Sequence, residues 1–397
     1  MTIGSPFDER ALPLNVKRQW REWGGRFASS AYAAHHDIEV NAIRNAAALI
    51  DVSPLYKYRV SGPDAQRLVD RVITRDATKL QRGQVFYTPW CDEHGKVLDD
   101  GTIHRLDDDS YRWTAADPQV RWLRLNARGL DVSIEEQTDD VASLALQGPL
   151  SRDVLEMLTG ESFADLRYFR RRTAHVGDLS VDVSRTGYTG DLGYELWVAA
   201  DRAVALWDAL LEAGSAYALR PAGMLALDVV RIEAGLIMLE VDYTSSAHAL
   251  VPEQSYSPFE LGLGRLVDFD KAAPFVGRAA LRREADAGGP ARRLVGLDLD
   301  WGDLERLYAA QELSPALSAA AWRQQVPVYA ADRQVGRATS GTWSPGLKRN
   351  LALASVEARY EAVGTLLDME WTVEGRRGRV GATVVPLPFF DPPHKRA

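Results

Sequence analysis

The most constraining feature of the sequence is the stretch at residues 184–195, which reads Ser-Arg-Thr-Gly-Tyr-Thr-Gly-Asp-Leu-Gly-Tyr-Glu. Glycine recurs there at positions 187, 190 and 193, and a tyrosine follows the first and the last of them. Glycine is needed where the backbone takes a positive φ or where another group approaches the main chain closely. Glu195 opens an apolar run. The pattern therefore predicts a tight loop followed by a strand that holds a carboxylate at its start.

Two other uses of such a loop can be weighed from the residues alone. A phosphate-binding loop would need Gly-x-x-x-x-Gly-Lys-Ser/Thr or Gly-x-Gly-x-x-Gly ahead of a helix N-terminus. Neither pattern is present, and the acids Asp191 and Glu195 would repel a phosphate. A hairpin turn without any ligand is the commoner structure for a glycine-rich stretch. The residues by themselves therefore favour a hairpin.

The composition is typical of a globular protein with more than one domain. The chain has 397 residues, with 46% hydrophobic and 26% charged residues, and this length suggests two or three domains. The net charge is -8 and no basic run is interleaved with aromatic residues, so nucleic acid is not an expected partner. Neither a signal-peptide pattern nor a run of about eighteen uncharged apolar residues occurs. We expect a cytoplasmic protein that does not associate with membranes.

Neither the cysteine nor the paired histidines predict a reactive or metal centre. Cys91 is the only cysteine, which excludes an intrachain disulfide, and its neighbours Asp92 and Glu93 disfavour a thiolate. His35 and His36 are adjacent, so on a helix their side chains point about 100° apart. The sequence gives no clear third ligand, and no metal is expected.

Hydrophobic periodicity predicts clusters of helices and strands rather than a regular βαβ series, which indicates an α+β fold. Strand-like alternation over residues 85–90, 97–106 and 111–115 predicts a β-meander. From about residue 292 onward the strands suggest a small barrel, interrupted by an alanine-rich helical segment at 304–325. Other helices are predicted at residues 37–50, 65–72, 151–158, 203–213 and 221–235.

Two pairs of charged residues stand out within these elements. Asp99 and Asp100 lie in the second meander strand, and because side chains alternate across a strand they must face opposite sides. At most one can enter a pocket, and exposure of both on an edge strand is the alternative. Arg231 and Glu233 lie near the end of a predicted helix, where a surface salt bridge is the commoner outcome.

The stretch at 184–195 resembles the signature loop of the folate-dependent aminomethyltransferase family, the T-protein of the glycine cleavage system and its relatives. A single motif would be weak support, but further motifs of the family follow in the family's order along nearly the whole chain. They are Asp51-Val-Ser, Gly95-Lys-Val-Leu-Asp-Asp100, Leu146-Gln-Gly-Pro149, Arg220-Pro-Ala-Gly223, Arg231-Ile-Glu-Ala-Gly235, Pro258-Phe-Glu260 and Thr339-Ser-Gly-Thr-Trp-Ser-Pro345.

This resemblance implies an α+β, three-domain T-protein-like cloverleaf fold with a central folate site and a C-terminal β-barrel domain. The implied folate-binding first domain comprises residues 1–58 plus 141–244. The second domain comprises residues 59–140 plus 245–285, and the barrel domain residues 286–397.

The resemblance also implies roles for individual residues, with tetrahydrofolate as the cofactor. Asp100 is the implied catalytic acid beside the folate nitrogen that gains the one-carbon unit. Glu195 would accept hydrogen bonds from N3-H and the 2-amino group of the pterin, and such a bidentate, charge-assisted pair is strong. The positions implied to line the folate are Tyr87, Tyr168, Tyr188 and Thr114, the last in place of the family's asparagine.

Departures from the family pattern cluster on the side of the one-carbon donor. Leu227 replaces the arginine of the family's Gly-x-Gly-Ala-Arg-Asp, and Pro54-Leu55 replaces a His-Met pair. The family's Tyr-Gly-x-Asp reads Leu239-Glu-Val-Asp242. Because the folate positions are kept, we expect folate to be retained and the donor to have changed. The candidate donor-side residues are Leu55, Leu227, Arg231 and Asp242.

The prediction from this pattern is a tetrahydrofolate-dependent demethylase that moves a methyl group from a small methylated donor to folate N5. One alternative is a true aminomethyltransferase of the glycine cleavage system. A second, of another class, is a folate-binding module without turnover or a subunit of a larger oxidoreductase. A carrier protein or a flavoprotein is accordingly a possible partner, besides the small methyl or aminomethyl donor.

Overall fold

The computed structural model of the protein describes residues 3–316 and 320–396. Its helices are α1 (Asp8–Leu14), α2 (His36–Asn45), α3 (Ala65–Val72), α4 (Val120–Asn126), α5 (Ser151–Thr159), α6 (Ala203–Gly214), α7 (Met224–Glu233), α8 (Arg278–Asp286) and α9 (Trp301–Ala309). Its strands up to the last third are β1 (Trp20–Trp23), β2 (Arg26–Ser29), β3 (Ala48–Asp51), β4 (Tyr56–Ser61), β5 (Val85–Cys91), β6 (Val97–Asp107), β7 (Ser110–Ala115), β8 (Ser133–Glu136), β9 (Val141–Gln147), β10 (Arg171–Val176), β11 (Leu179–Ser184), β12 (Gly193–Ala199) and β13 (Arg220–Pro221). The remaining strands are β14 (Arg292–Leu299), β15 (Val326–Ala330), β16 (Arg333–Ser344), β17 (Arg349–Glu357), β18 (Leu366–Val373) and β19 (Arg376–Val385).

One sheet has six strands, in the order β10-β11-β12-β9-β3-β13. Its central strands are apolar on both faces, and alternate residues enter two different cores. Leu144 and Leu146 of β9 pack in the core that contains residues of α5 and α6, whereas Ala145 packs in the core that contains residues of α2 and α7. Burial on both faces explains why this strand reads as a continuous apolar run.

A five-stranded antiparallel sheet in the order β5-β6-β7-β4-β8 contains the predicted meander, which is confirmed as β5, β6 and β7. β6 lies between β5 and β7, so the adjacent acids Asp99 and Asp100 belong to an inner strand. The alternative in which both acids are exposed on an edge strand is therefore wrong. Asp99 is fully buried and Asp100 is only partly accessible.

The predicted C-terminal barrel is confirmed as a closed six-stranded barrel in the order β14-β17-β16-β15-β18-β19, with β19 pairing back to β14. Its interior contains aliphatic side chains such as Leu297, Val328, Met369 and Val380. Closure pairs every strand on both sides and leaves no free edge.

Two helix predictions were wrong in their extent. The predicted helix at 37–50 ends at Asn45, and the following residues form β3, because the apolar residues Ala48, Leu49 and Ile50 are buried between two cores as an inner strand. The predicted helix at 304–325 is formed only as α9, Trp301–Ala309. Glu312 takes a left-handed φ of 58°, Pro315 follows, and the backbone before a proline disfavours helix. Residues 317–319 lie outside the described residues.

The three-domain limits given above stay a proposal. β4 lies wholly in the five-stranded sheet, so we place the first limit just before Tyr56 rather than at residue 58. Among residues 3–316 and 320–396, no helix combines the length and the apolar character needed to cross a membrane.

Candidate active site

Asp100 lies in the first half of β6, opposite Pro89 of β5. Its carboxylate accepts a hydrogen bond from the Tyr87 hydroxyl at 2.8 Å and a second from the Tyr243 hydroxyl. Burial raises the pKa of Asp100, and the two phenol hydrogen bonds act in the opposite direction by stabilising the anion. The carboxylate is thus held in a fixed direction by two rigid rings. Tyr243 was not among the predicted site residues.

Asp99 faces away from Asp100, as the alternation predicted. Its carboxylate accepts backbone N–H groups from Asp100 at 2.7 Å, from Ala116 at 3.0 Å and from Asp117 at 2.9 Å. These bonds fix the chain just after β7 against the neighbouring strand. Asp99 is therefore a structural acid, and the one that faces the tyrosines is Asp100.

The glycine-rich loop connects β11 to β12, as the hairpin interpretation predicted. The side chain of Gln147 fills the inside of the loop, where its amide donates to the carbonyls of Thr186 and Tyr194 and its oxygen accepts from the Thr189 hydroxyl at 2.7 Å. A Cβ at Gly187 or at Gly193 would collide with this amide. The glycine pattern and Gln147 are thus two parts of one packing arrangement.

Glu195 begins the exit strand of this loop, beside the third glycine. Its Oε2 accepts the Thr186 hydroxyl at 2.6 Å, and Thr186 is itself 2.8 Å from the Ser184 hydroxyl. Burial raises the pKa of Glu195, whereas the Thr186 hydrogen bond and the charge of Arg112 lower it. Glu195 keeps some accessible surface although it is set deep in the protein, and Oε1 has no hydrogen-bond donor among the residues that the structure describes.

The other residues predicted to line the folate lie in three different environments. Tyr188 is deep in the protein, where its hydroxyl donates to the carbonyl of Ile237. Tyr168 is 42% exposed and packs edge-on against Phe169. The Thr114 hydroxyl lies 2.7 Å from that of Thr102, within the sheet. Tyr87 and Tyr188 therefore lie near Asp100, whereas Tyr168 lies at the surface. The hydroxyl of Thr114 is already hydrogen-bonded within the sheet.

Arg231 and Asp242, two of the predicted donor-side residues, form a buried ion pair, and both side chains are fully enclosed. Asp242 also accepts the hydroxyls of Thr339 at 2.6 Å and Ser340 at 2.7 Å, which come from β16 of the barrel. The prediction of a surface salt bridge at Arg231 and Glu233 was wrong. Glu233 is 1% exposed and bonds Arg44, because the C-terminal part of α7 is covered by α2 and the barrel.

Leu227, where the family has an arginine, is 6% exposed and packs in an apolar cluster that also contains Leu55 and Tyr188. The next residue, Asp228, nevertheless pairs with two arginines from distant segments. Arg21 of β1 lies 2.5 Å from it, and Arg323 contacts both of its oxygens at 2.8 Å. Sequence reasoning missed this cluster, because nothing local links residues 21, 228 and 323.

Two groups of residues could offer ligands to a metal ion within the described part of the chain, and no ion is assigned to either. They are His35, His36 and Asp37, and Asp117, Glu240 and His248.

Comparison with known proteins agrees with this architecture. Residues 15–271 match the family described as the GCVT N-terminal domain, and residues 292–391 match the glycine cleavage T-protein C-terminal barrel domain. The fold resembles the glycine cleavage aminomethyltransferase T of Bartonella henselae with a TM-score of 0.82 at 23% identity, covering 98% of this chain and 99% of that one.

Two curated relatives are similar over most of this chain. The aminomethyltransferase of Symbiobacterium thermophilum is 37% identical over 369 residues, which is 90% of each protein. The trimethylamine-oxide aldolase of Ruegeria pomeroyi is 37% identical over 376 residues, 90% of this chain, but the match spans only 43% of that relative's length. The chain therefore belongs to the glycine cleavage T-protein family of folate-dependent transferases and aldolases, and it is an enzyme of that class.

Proposed function

We propose that the protein is a tetrahydrofolate-dependent demethylase that transfers a methyl group from a small methylated donor to N5 of tetrahydrofolate. The observation that carries this proposal is the Asp100 carboxylate, set deep between the hydroxyls of Tyr87 and Tyr243. A module that only bound folate would not need a carboxylate fixed in this way. The proposal goes beyond the family assignment, which leaves the reaction open.

The residues around Glu195 fit a reduced pterin. A pterin presents an N–H and an amino group side by side, and Glu195 has one oxygen that the Thr186 hydroxyl orients and another that is free to accept. Carboxylates that accept such paired donors form short, charge-assisted hydrogen bonds. Tyr87 and Tyr188 would flank the ring system, and Tyr168 would lie at the outer end of the ligand, consistent with its exposure.

Bound tetrahydrofolate would supply the N5 electron pair for the new bond to the methyl carbon. The donor atom would keep the electron pair of the broken bond, and the proton lost from N5 would pass to the departing donor or to solvent. Asp100 stabilises the positive charge that develops beside it, and a preorganised group of this kind contributes roughly 3 kcal/mol. The two tyrosines prevent the carboxylate from rotating away. Holding donor and acceptor in line removes much of the entropic barrier.

The choice of a methyl donor rests on the departures around Leu227. An aminomethyl donor of the glycine cleavage system would be expected to use the family's arginine, which is absent here. The aminomethyltransferase reaction is the second candidate, because the relative from Symbiobacterium thermophilum matches over 90% of both proteins. A carrier protein or flavoprotein partner stays a prediction from the resemblance.

The product distinguishes these reactions. The protein would be incubated with tetrahydrofolate and candidate donors, namely methylamines, sulfonium compounds, aryl methyl ethers and trimethylamine oxide, and the folates separated by liquid chromatography. Formation of 5-methyl-tetrahydrofolate supports demethylation, whereas 5,10-methylene-tetrahydrofolate supports aminomethyl or oxidative chemistry. Absence of tetrahydrofolate binding would contradict the proposal altogether.

Asp100→Asn tests the role of the carboxylate. We expect turnover to fall about 100- to 1,000-fold, as for loss of one preorganised electrostatic group, with folate affinity nearly preserved. Asp332→Asn, at an exposed hairpin of the barrel, is the matched control and should behave as the native protein. Loss of folate binding with normal turnover would contradict the assignment.

A further inference from the structure

A cluster of metal-ligating side chains lies outside the residues assigned above to folate and donor. We call Asp117, Glu240 and His248 the carboxylate–histidine cluster. One ligand atom of each residue lies within 4.8 Å of those of the other two. The His248 Nδ1 atom is 3.0 Å from Oε1 of Glu240 and 3.5 Å from Oδ2 of Asp117. Two carboxylates and one imidazole thus converge on a small, solvent-accessible volume.

The spacing of these atoms is that of ligands around a single metal ion. Zinc binds imidazole nitrogen and carboxylate oxygen at about 2.0–2.2 Å, so neighbouring ligand atoms lie about 3.0 Å apart at a right angle and about 3.4 Å apart at the tetrahedral angle. The two distances from Nδ1 of His248 are close to these values. A hydrogen bond accounts for only one of them, because Nδ1 carries at most one hydrogen.

The two carboxylates of the cluster lack a permanently charged partner. Over residues 3–316 and 320–396, neither Asp117 nor Glu240 has a lysine or arginine nitrogen within 4.0 Å, and His248 is the basic side chain that both contact. A neutral imidazole does not offset two negative charges, whereas a divalent cation does. The charge at this place is therefore suited to a bound cation.

Hydrogen bonds to the backbone fix the two carboxylate residues. The N–H of Asp117 donates to Asp99 at 2.9 Å, and Oε1 of Glu240 accepts the N–H of Ser245 at 3.1 Å. Glu240 also takes a left-handed φ of 58°, a conformation that favours glycine, and the family's motif has glycine at this position. The carboxylate at position 240 is thus particular to this chain and does not belong to the family's motif.

The chemistry of the ligands indicates which ion fits. An imidazole disfavours the all-oxygen coordination typical of Ca²⁺ and Mg²⁺. A mixed set of nitrogen and oxygen ligands is typical of zinc and other divalent first-row metals. The other group of possible ligands is less suited, because His35, His36 and Asp37 are consecutive and Nδ1 of His35 already accepts the N–H of Asp37 at the start of α2.

We propose that the carboxylate–histidine cluster binds a divalent first-row metal ion, represented by Zn²⁺, and that this ion fastens the loop at 240–248 to the end of β7. Solvent completes the coordination, since three protein ligands leave a position open. Tyr243 lies in this loop and donates to Asp100, so the ion stabilises the segment that orients the proposed catalytic acid. This last consequence rests on the proposed function, whereas binding of the ion does not.

The sequence indicated no such site. Only the adjacent His35 and His36 suggested a metal, because nothing local links residues 117, 240 and 248.

Isothermal titration calorimetry with zinc chloride, on protein treated with EDTA and then dialysed, tests the site directly. We expect saturable binding of one ion per chain. His248→Gln and Glu240→Gln should each raise the Kd about tenfold or more, as for loss of one charge-assisted contact. Both side chains are about half exposed, so neither change should prevent folding. His94→Gln, which removes an exposed histidine beside another acid, is the matched control and should bind zinc as the native protein does.

Hydrogen exchange measures whether the ion fastens the loop. With zinc at ten times its Kd, openings that break the site should become about tenfold rarer, and amide exchange in peptides from residues 240–248 should slow by that factor. At the same zinc concentration the slowing should be largely lost in Glu240→Gln and retained in His94→Gln.

The outcomes separate this proposal from the proposed reaction. Absence of saturable zinc binding, or equal affinity in the native protein and in both His248→Gln and Glu240→Gln, would overturn the metal site. Binding at the cluster without slower exchange at 240–248 would overturn the fastening of the loop. Neither measurement uses folate, so a failure of demethylation would leave these results unchanged, and a failure of zinc binding would leave the proposed reaction unaffected.

Discussion

The hydroxyl of Tyr87 donates a 2.8 Å hydrogen bond to Asp100 across two neighbouring strands, β5 and β6. A second hydroxyl, from Tyr243 in a loop far along the chain, reaches the other oxygen of the same carboxylate. Both oxygens are thus fixed by neutral donors. These hydrogen bonds stabilise the Asp100 anion without a neighbouring cation, so its negative charge is not neutralised.

Removing one of these donors should change the pH dependence of turnover. Burial already raises the pKa of Asp100 and the Tyr87 hydrogen bond lowers it, so Tyr87→Phe should raise the pKa further. Because the proposed function requires the ionised carboxylate, the acid limb of the pH profile of kcat/KM should move to higher pH. Tyr360→Phe on the barrel is the control. An unchanged or downward-shifted acid limb would contradict this role of Asp100.

Glu195→Gln should weaken tetrahydrofolate binding about 10- to 100-fold, because an amide can accept only one of the two hydrogen bonds that a carboxylate accepts. The chain contains 11 tryptophans, which makes fluorescence titration practicable. Glu361→Gln removes an acid at a half-exposed ion pair on the barrel and should bind as the native protein does. Equal affinity in Glu195→Gln would show that the pterin lies elsewhere.

His104 should make the fold sensitive to acid. Burial lowers the pKa of His104 to about 3, and the charge of Arg112 adds to the shift. Below about pH 6.5 the imidazole is protonated in the unfolded chain but stays neutral in the folded protein. As the pH falls from there toward the pKa of His104 in the folded protein, this residue therefore lowers the free energy of unfolding by about 1.4 kcal/mol per pH unit.

Urea unfolding at several pH values would measure this effect. Between pH 6.5 and 5, the free energy of unfolding should fall by about 2 kcal/mol less in His104→Gln than in the native protein. The glutamine amide can still bond the Thr102 hydroxyl, which lies 3.0 Å from the imidazole. The comparison uses the change with pH, so a uniform destabilisation of the variant does not affect it. Parallel pH profiles would contradict the prediction.

Restoring the family arginine should not restore the family reaction. Leu227 is enclosed in an apolar cluster, and Asp228 beside it is already paired with Arg21 and Arg323. A further guanidinium beside Asp228 would lack a partner, so Leu227→Arg should destabilise the fold by about 3 kcal/mol or more and should not increase methyl transfer. Leu227→Met is the volume-matched control. A gain of glycine-cleavage activity would favour the aminomethyltransferase alternative.

Much of the local structure could be predicted from the sequence, because it depends on short-range patterns. Period-two alternation identified the meander and the barrel strands, and it required Asp99 and Asp100 to face opposite sides. The glycine spacing predicted the hairpin between β11 and β12. Helix ends were less certain, since the apolar run at Ala48–Asp51 fits a helix or an inner strand and only its burial on two faces decides.

Only the tertiary structure decided which residues far apart in the sequence are in contact. Tyr243 reaches Asp100, and Arg21 and Arg323 converge on Asp228, although long stretches of chain separate the partners. Charge balance at a site is a property of all the side chains packed there, and it cannot be read from any one segment. For that reason the sequence determined the family, the strand order within the meander and the candidate acids, whereas the tertiary structure decided which distant side chains pair with Asp100 and with Asp228.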